Sequence, residues 1–543
     1  MKKIILLIAL FSSIACHTQK KTQSENDISD ISAKEFREFK VLDSKNIENQ
    51  DIWNVVTAQM TDFTEADYER LKPYILEKNI LELHQSRVQR IFTYEQLVKF
   101  YFYRIKKYDR DNALSLNSVI SLNPNAIAEA KKRDQDFLNK RLKPLIFGMP
   151  VLLKDNVNTE NMPTTAGAVA LKNNRTSDAF ITKRLKEEGA IILGKANLSE
   201  WAYFFCGDCP SGYSAVGGQT LNPYGRKIYD TGGSSSGSGV SIAANFAVAA
   251  VGTETAGSIL SPSSQNSVVG LKPTIGLLSR SGIVPISSTL DTPGPMTKNV
   301  VDNAIMLAAL YGYDKTDTKS KLFKWPGSEY YTNIKNGNIS LKGKRFGAMK
   351  GLMQDTLYVQ AVEVLKNQGA TIVEIETPQV GLPKFINLLN LDMQKDLPDY
   401  FAKHGSNALS FKSVQDVIDF NKKDSVSAMP YGQKLFYGIV ADKASDEEFS
   451  DLKKVLHENG KTFFNTPMEA HKLDGVLSIN NYHAAFAAVA EYPALTVPMG
   501  YTEKGEPKGL TFIGKPFTEK DLLEFAFAYE QASKKRKAPK NYN

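Results

Sequence analysis

Cysteine is almost absent from this chain. Three occur in 543 residues, at Cys16, Cys206 and Cys209, beside only six histidines. Cys206 and Cys209 form a C-x-x-C spacing in "FFCGDCPSG", compatible with a redox motif or half of a zinc site. No cysteine is left to complete a zinc ligand set and the histidines are scattered, which argues against a metal centre. Internal repeats are also missing. Hydrophobic residues make up 42% and charged residues 23%, so wholesale disorder is excluded. The net charge is +8, part of it in the last ten residues, "KKRKAPKNYN", from Lys534. Without aromatic stacking partners or a basic stripe elsewhere, this run reads as a solvated tail and not as a nucleic-acid surface.

The only leader-like apolar run is at the N-terminus. In "MKKIILLIALFSSIAC", Lys2 and Lys3 precede an apolar run from Ile4 to Phe11 and small residues before Cys16. This is the layout of a secretory signal peptide, too short for a stable transmembrane helix. Ser13-Ile14-Ala15-Cys16 resembles a bacterial lipobox, although its first position is more often Leu. That resemblance implies cleavage before Cys16, lipidation of its thiol and new amine, and a bacterial envelope location facing the periplasm or cell surface. Each buried CH₂ of an acyl chain contributes about 0.8 kcal/mol, so several chains anchor a protein firmly. Residues 1–15 are thus read as leader and 16–32 as lipidated Cys and polar tether. In an oxidising envelope, Cys206 and Cys209 are better read as a local disulfide or two free thiols than as thioredoxin-like chemistry.

Residues 33–543 read as an α/β layer fold. Capping boxes open helices over 64–78 (Thr64, Asp67) and 93–107 (Thr93, Gln96). Further helices fit 178–188, 355–368 and 519–534. Strand candidates are 144–155, 190–194, 371–376, 474–479, 494–500 and 509–514. Residues 315–470, more polar and less patterned, read as a variable helical lobe beside a core of 80–314 and 471–535.

The densest signal is "DTGGSSSGSGVSIAANFAVAAVG" (230–252), a Gly/Ser loop running into an apolar stretch read as a long buried helix. A phosphate loop needs a Gly-Lys-Ser/Thr ending, and Gly237-Ser238-Gly239-Val240 has no Lys. Gly233-x-Ser235-x-Gly237 fits G-x-S-x-G, but polar "NPYGRKIYDTG" precedes it where the hydrolase elbow needs an apolar strand. Of the downstream histidines, His404, His457, His471 and His483, none sits in a context suited to a Ser-His-Asp triad. A second cluster follows in "VGTETAGSILSPSSQNSVVGLKPT" (251–274), where small residues around Ser258 let several N–H groups converge, as an oxyanion hole requires. Lys154 closes the strand-like "MPVLLK". A buried Lys is costly unless paired or reactive, and desolvation lowers its pKa; the plain alternative is a Lys that snorkels to solvent.

Together these stretches resemble the amidase signature family. The matching segments are "FGMPVLLKDNV", "GAIILGKANLSEWA", "GGSSSGSG", "GTETAGSILSPSSQNSVVGLKPTIGLLSRSGIVPIS", "LDTPGPMTKNVVDNA" and "YPALTVPMG", spread over about 80–535. Within that family, "GGSSSGSG" and "GTET" look most like bacterial peptide amidases. The resemblance implies a central mixed, twisted sheet covered on both faces by helices. It implies a Ser-Ser-Lys triad: Ser258 as nucleophile, Ser234 as bridging serine on a cis peptide bond, Lys154 as base. It implies an oxyanion hole from the N–H groups of Thr255, Ala256, Gly257 and Ser258, and no metal or organic cofactor. Ala256 and Leu260 depart from the family's usual Gly or Asp and Arg. The expected partners are a small-molecule or peptide amide and a membrane reached through the lipid anchor, with no nucleic acid. The leading function is an envelope-anchored amidohydrolase, with C-terminal peptide amides as substrates. Its rivals are hydrolysis of other amides (N-acyl amino acids, fatty or small aliphatic amides) and a non-catalytic peptide-binding lipoprotein. Amidation of charged tRNA, another role in the family, is cytoplasmic and conflicts with the leader.

Overall fold

The computed structural model describes residues 39–543 apart from 111, 140–142, 322–325 and 338. The predicted leader, Cys16 and the tether lie outside the described residues. Among the described residues thirteen strands occur, in chain order: β1 (Val119–Leu122), β2 (Pro150–Lys154), β3 (Ile191–Ala196), β4 (Tyr213–Ser214), β5 (Gly218–Gln219), β6 (Ala249–Glu254), β7 (Val269–Lys272), β8 (Thr292–Thr297), β9 (Arg345–Met349), β10 (Thr371–Ile375), β11 (Gly475–Ile479), β12 (Ala494–Tyr501) and β13 (Pro507–Ile513). Eleven form one sheet in the order β1-β3-β2-β6-β8-β7-β12-β13-β11-β9-β10; β4 and β5 pair separately. The sheet is mixed. β3, β2 and β6 run parallel, β6 through β11 pair antiparallel, and β11, β9 and β10 are parallel again. Helices surround it, as the α/β reading expects. The central strands β2, β3, β6 and β8 are buried along their whole length, which accounts for the apolar runs in β2, β3 and β6.

Two helices start where the capping pattern places them. Thr64 and Thr93 cap Glu65–Ile75 and Tyr94–Tyr108, each with both reciprocal hydrogen bonds formed. The apolar stretch is not one long helix. A short helix, Ser236–Ala243, begins inside the Gly/Ser run itself; Asn245 turns left-handed at φ 57°, and β6 follows. A short apolar run carries no periodicity that separates buried helix from buried strand, so the division was invisible in composition. The 315–470 segment also divides. β9, the helix Thr356–Asn367 and β10 extend the central sheet, whereas the four longer helices within 385–471 pack with Trp201, Phe204 and Phe205 in a second apolar cluster.

The basic C-terminus is not a free solvated tail. Arg536 forms a bidentate pair with Glu77, at 2.8 and 3.0 Å, and donates to Ser267 O and Ala243 O. Tyr542 is fully buried, its hydroxyl donating to Leu114 O, while its own carbonyl accepts from Arg104. Arg104 also donates to Ala244 O at 2.9 Å. Two guanidinium groups therefore meet the carbonyls that end the helix Ser236–Ala243, where the helix dipole favours positive charge. Lys534, Lys537 and Lys540 stay exposed, so the charge run has an outward face and an inward one. Deleting residues 534–543 is expected to lower the thermal unfolding midpoint, and Arg536→Ala alone should cost about 1–3 kcal/mol in a denaturant titration. An unchanged midpoint in both would contradict the latch.

Candidate active site

β2 and β6 are parallel neighbours, with Leu153 opposite Val251, so their C-terminal ends reach the same edge of the sheet. Lys154 ends one and Thr253 and Glu254 end the other. Ligand sites in parallel α/β sheets commonly lie beyond such strand ends. Lys154 is fully buried and does not snorkel. Its Nζ donates to Ser234 Oγ at 2.8 Å, Thr253 Oγ1 at 2.9 Å and Thr253 O at 3.2 Å. Among the described residues it has no carboxylate within ion-pair distance. Burial pushes its pKa down to about 7, against the opposing pull of Asp291 and Glu254.

A second Lys at a strand end behaves differently. Lys195 on β3 lies 3.1 Å from Asp155, both groups being buried, and also donates to Val157 O and Thr164 Oγ1. Lys195 is thus the paired, structural cation and Lys154 the unpaired one.

Ser234 sits in the Gly/Ser loop, and the Gly233–Ser234 peptide bond is cis. The loop is held by backbone and hydroxyl bonds. Ser199 N–H donates to Ser234 O, Ser235 N–H to Ser258 O at 3.1 Å, and Ser235 Oγ to Thr253 O. Ser238 Oγ donates to Val251 O and Ser236 Oγ to Gly232 O. The serines are buried and their hydroxyls find partners within the segment, on β6 or, for Ser234, at Lys154 on β2, which is why polar residues are tolerated there. Gly232 has φ 64°, and a Cβ on it would lie 2.6 Å from Pro262 N, so the loop can pass the helix Leu260–Gln265 only as glycine.

Ser258 follows β6 and is partly exposed, as is Ala256. The turn leading to it is braced from below. Buried Glu254 accepts through one oxygen from Ile259 N–H at 2.7 Å and Leu260 N–H at 3.0 Å. Gly257 adopts φ 103°, which a side chain would strain. From the other side, Thr255 Oγ1 donates to Asp291 Oδ1 at 2.5 Å, while Asp291 Oδ2 accepts from Ile286 and Ser287 N–H. Leu260 is buried in an apolar cluster, where an Arg would need a counter-charge. Lys154, Ser234 and Ser258 are thereby brought to one sheet edge. That edge holds a buried amine, a hydroxyl in contact with it and a partly exposed serine beside small-residue backbone.

Cys206 and Cys209 are bonded to each other in the loop before β4. His483 Nδ1 meets Ser478 Oγ and His457 Nδ1 meets Val489 O, and no hydrogen bond joins either to the serines above. Sequence reasoning missed Thr253, Glu254, Asp291 and the Asp155–Lys195 pair. All lie inside the stretches quoted for the resemblance, and their signal is a polar group within an otherwise buried run.

The Amidase family matches residues 96–433. A probable amidase of Arabidopsis thaliana is 36% identical over 86% of this chain and 92% of its own. Among solved structures, an amidase family protein from Bacillus anthracis superposes with a TM-score of 0.87 at 37% identity, covering 93% of this chain and all of its own. The native peptide amidase from Stenotrophomonas maltophilia gives 0.81 at 38%, covering 86% of this chain and 99% of that one. The chain belongs to the amidase family, and it is an enzyme that hydrolyses amide bonds.

Removing one partner of the buried pair beside the site leaves a charge without compensation. Asp155→Asn is expected to destabilise the fold by about 3–5 kcal/mol in chemical denaturation. A change within experimental error would show that Lys195 is not held by this carboxylate.

Proposed function

We propose that this protein is an envelope-anchored amidohydrolase that releases ammonia from C-terminal peptide amides through Ser258, Ser234 and Lys154. The observation that carries the reading is the 2.8 Å contact of Ser234 Oγ with a buried Lys that, among the described residues, has no carboxylate in ion-pair contact. Near neutral pH a large share of Lys154 is then the free amine, with a lone pair directed at Ser234. Ser234 O–H gives its proton to Lys154 and takes one from Ser258. Ser258 Oγ attacks the amide carbonyl, and N–H groups of the Thr255–Ser258 turn hold the oxyanion. Each such donor contributes about 3–4 kcal/mol in comparable enzymes. The relay then protonates the leaving nitrogen, ammonia departs, and water hydrolyses the acyl-enzyme by the same route. The peptide-amide choice draws on the likeness to the Stenotrophomonas peptide amidase and to a peptide amidase solved in complex with the competitive inhibitor chymostatin.

The protein lacking residues 1–20 should release ammonia from amidated dipeptides in preference to simple aliphatic or fatty amides. Ser258→Ala should lower kcat/KM by roughly 10⁴-fold or more, and Lys154→Ala by roughly 10²–10⁴-fold. Equal release by the Ser258 variant would sink the mechanism. Because the active form is the neutral amine, kcat/KM should rise with pH through a midpoint of about 7. Asp291→Asn removes a charge that favours the protonated amine, so its midpoint should move to lower pH; a shift to higher pH would contradict the assignment.

The anchor is tested in cells. The full-length chain should incorporate an alkyne-tagged palmitate and partition with membranes. Cys16→Ser should abolish labelling, and retained labelling would rule out Cys16 as the lipid site.

A further inference from the structure

β11 is followed by two adjacent asparagines, and the fold uses them differently. Asn480 takes a left-handed conformation at φ 48°. Its N–H donates to Gly509 O at 2.9 Å and its Oδ1 accepts from Gly509 N–H at 2.8 Å, so β13 locks this turn. Asn481 leaves the sheet at that turn and is partly exposed.

An Asn just ahead of a helix ordinarily caps it through its side chain. Asn481 does not. The helix Ala484–Val489 has no side-chain cap, and Asn481 meets it through its backbone carbonyl, which accepts from Ala484 N–H at 3.0 Å. Asn481 Oδ1 is buried without a partner, and Nδ2 makes no hydrogen bond among the described residues. Nδ2 is not sealed in with Oδ1, so the free edge of this amide is its donor edge.

That donor lies against the turn carrying Ser258. A Cβ added to Gly257 would sit 2.9 Å from Asn481 Nδ2 and 3.5 Å from Ala484 Cβ. Glycine at 257 therefore lets the amide approach the residue before the nucleophile, independently of its φ of 103°. The heavy atoms nearest that position belong to Asn481 and Ala484, and Nδ2 is the polar one among them. Ala256, on the other side of Gly257 from Ser258, carries only a methyl group. An uncharged donor in such company calls for a neutral acceptor, and a carbonyl oxygen is one.

We propose that Asn481 is a specificity-determining residue whose Nδ2 donates to the carbonyl of the peptide unit preceding the scissile amide. It thereby selects peptide amides over aliphatic and fatty amides, which have no polar group beyond the scissile carbonyl. The proposal rests on the amidase reading above and deepens it. In a peptide amide the next carbonyl stands one residue from the scissile carbon, about 3.3–3.6 Å along an extended chain. Gly257 likewise stands one residue, about 3.8 Å, from Ser258. A substrate with its scissile carbon at Ser258 Oγ brings its next carbonyl to the donor beside Gly257.

N-acetyl-leucinamide and 4-methylpentanamide share the primary amide and the branched chain, and only the first has a peptide unit. Asn481→Ala should raise KM for N-acetyl-leucinamide about tenfold with kcat within about twofold, and leave kcat/KM for 4-methylpentanamide within about twofold. Asn481→Gln, which keeps the carboxamide, should recover part of the loss. An equal loss on both amides would make Asn481 a structural residue and overturn the proposal, as would no loss on either. Binding is read separately in the Ser258→Ala background. There Asn481→Ala should weaken calorimetric binding of N-acetyl-leucinamide about tenfold, and an unmoved affinity or no binding at all overturns the contact. Weakened binding with no ammonia released from either amide by the intact enzyme would leave the Asn481 contact standing and defeat the amidase mechanism. Ammonia release from both amides, unmoved by Asn481→Ala, would do the reverse.

Discussion

The structure of this site depends on one amine kept out of water without a counter-ion. Lys154 ends a fully buried strand, and its neighbours are hydroxyls and a carbonyl. A buried ammonium there is disfavoured by desolvation, and the two carboxylates that act on it, Asp291 and Glu254, are themselves occupied with backbone N–H groups. The comparison with Lys195 is instructive. One strand away, the same residue type at a strand end is given Asp155 as a partner. The two lysines share burial and differ in pairing, and the proposed proton relay rests on that difference.

Much of the surrounding architecture serves to hold the partners of that amine still. Ser234 is fixed through Ser199 and Ser235, Ser258 through the Ser235 N–H, and Thr253 through Asn156. The helix behind the loop is only eight residues long, and its C-terminal carbonyls are met by Arg104 and Arg536. The chain's last residues thus reach the far end of the element whose near end carries Ser234. Glu254 and Asp291 brace the turn before Ser258 from opposite sides. Buried carboxylates accepting backbone N–H bonds order a turn without adding side-chain bulk, and Ser258 stays partly exposed.

The layer class was legible in the sequence, because apolar runs of strand length alternate with capped amphipathic helices. Thr64 and Thr93 marked their helix starts almost to the residue. The catalytic candidates were legible for a different reason: Gly/Ser-dense segments abutting apolar runs, and one Lys closing "MPVLLK". Resemblance then supplied their roles. What was not legible is what long-range geometry decides. Nothing local marks where the helix Ser236–Ala243 begins and ends before β6, since Ser, Gly and Ala run through both. Nothing in "KKRKAPKNYN" shows that Arg536 meets Glu77, 459 positions away. Asp155, Asn156 and Asp291 stand in quoted stretches, yet their tasks depend on residues from other strands and loops.

The central claim is that Lys154 is substantially neutral at physiological pH. The most direct measurement is an NMR titration of its side chain in lysine-labelled protein, assigned by loss of the signal in Lys154→Arg. The account predicts a midpoint of about 7. A resonance that stays that of an ammonium up to pH about 9, near the ordinary lysine range, would contradict it.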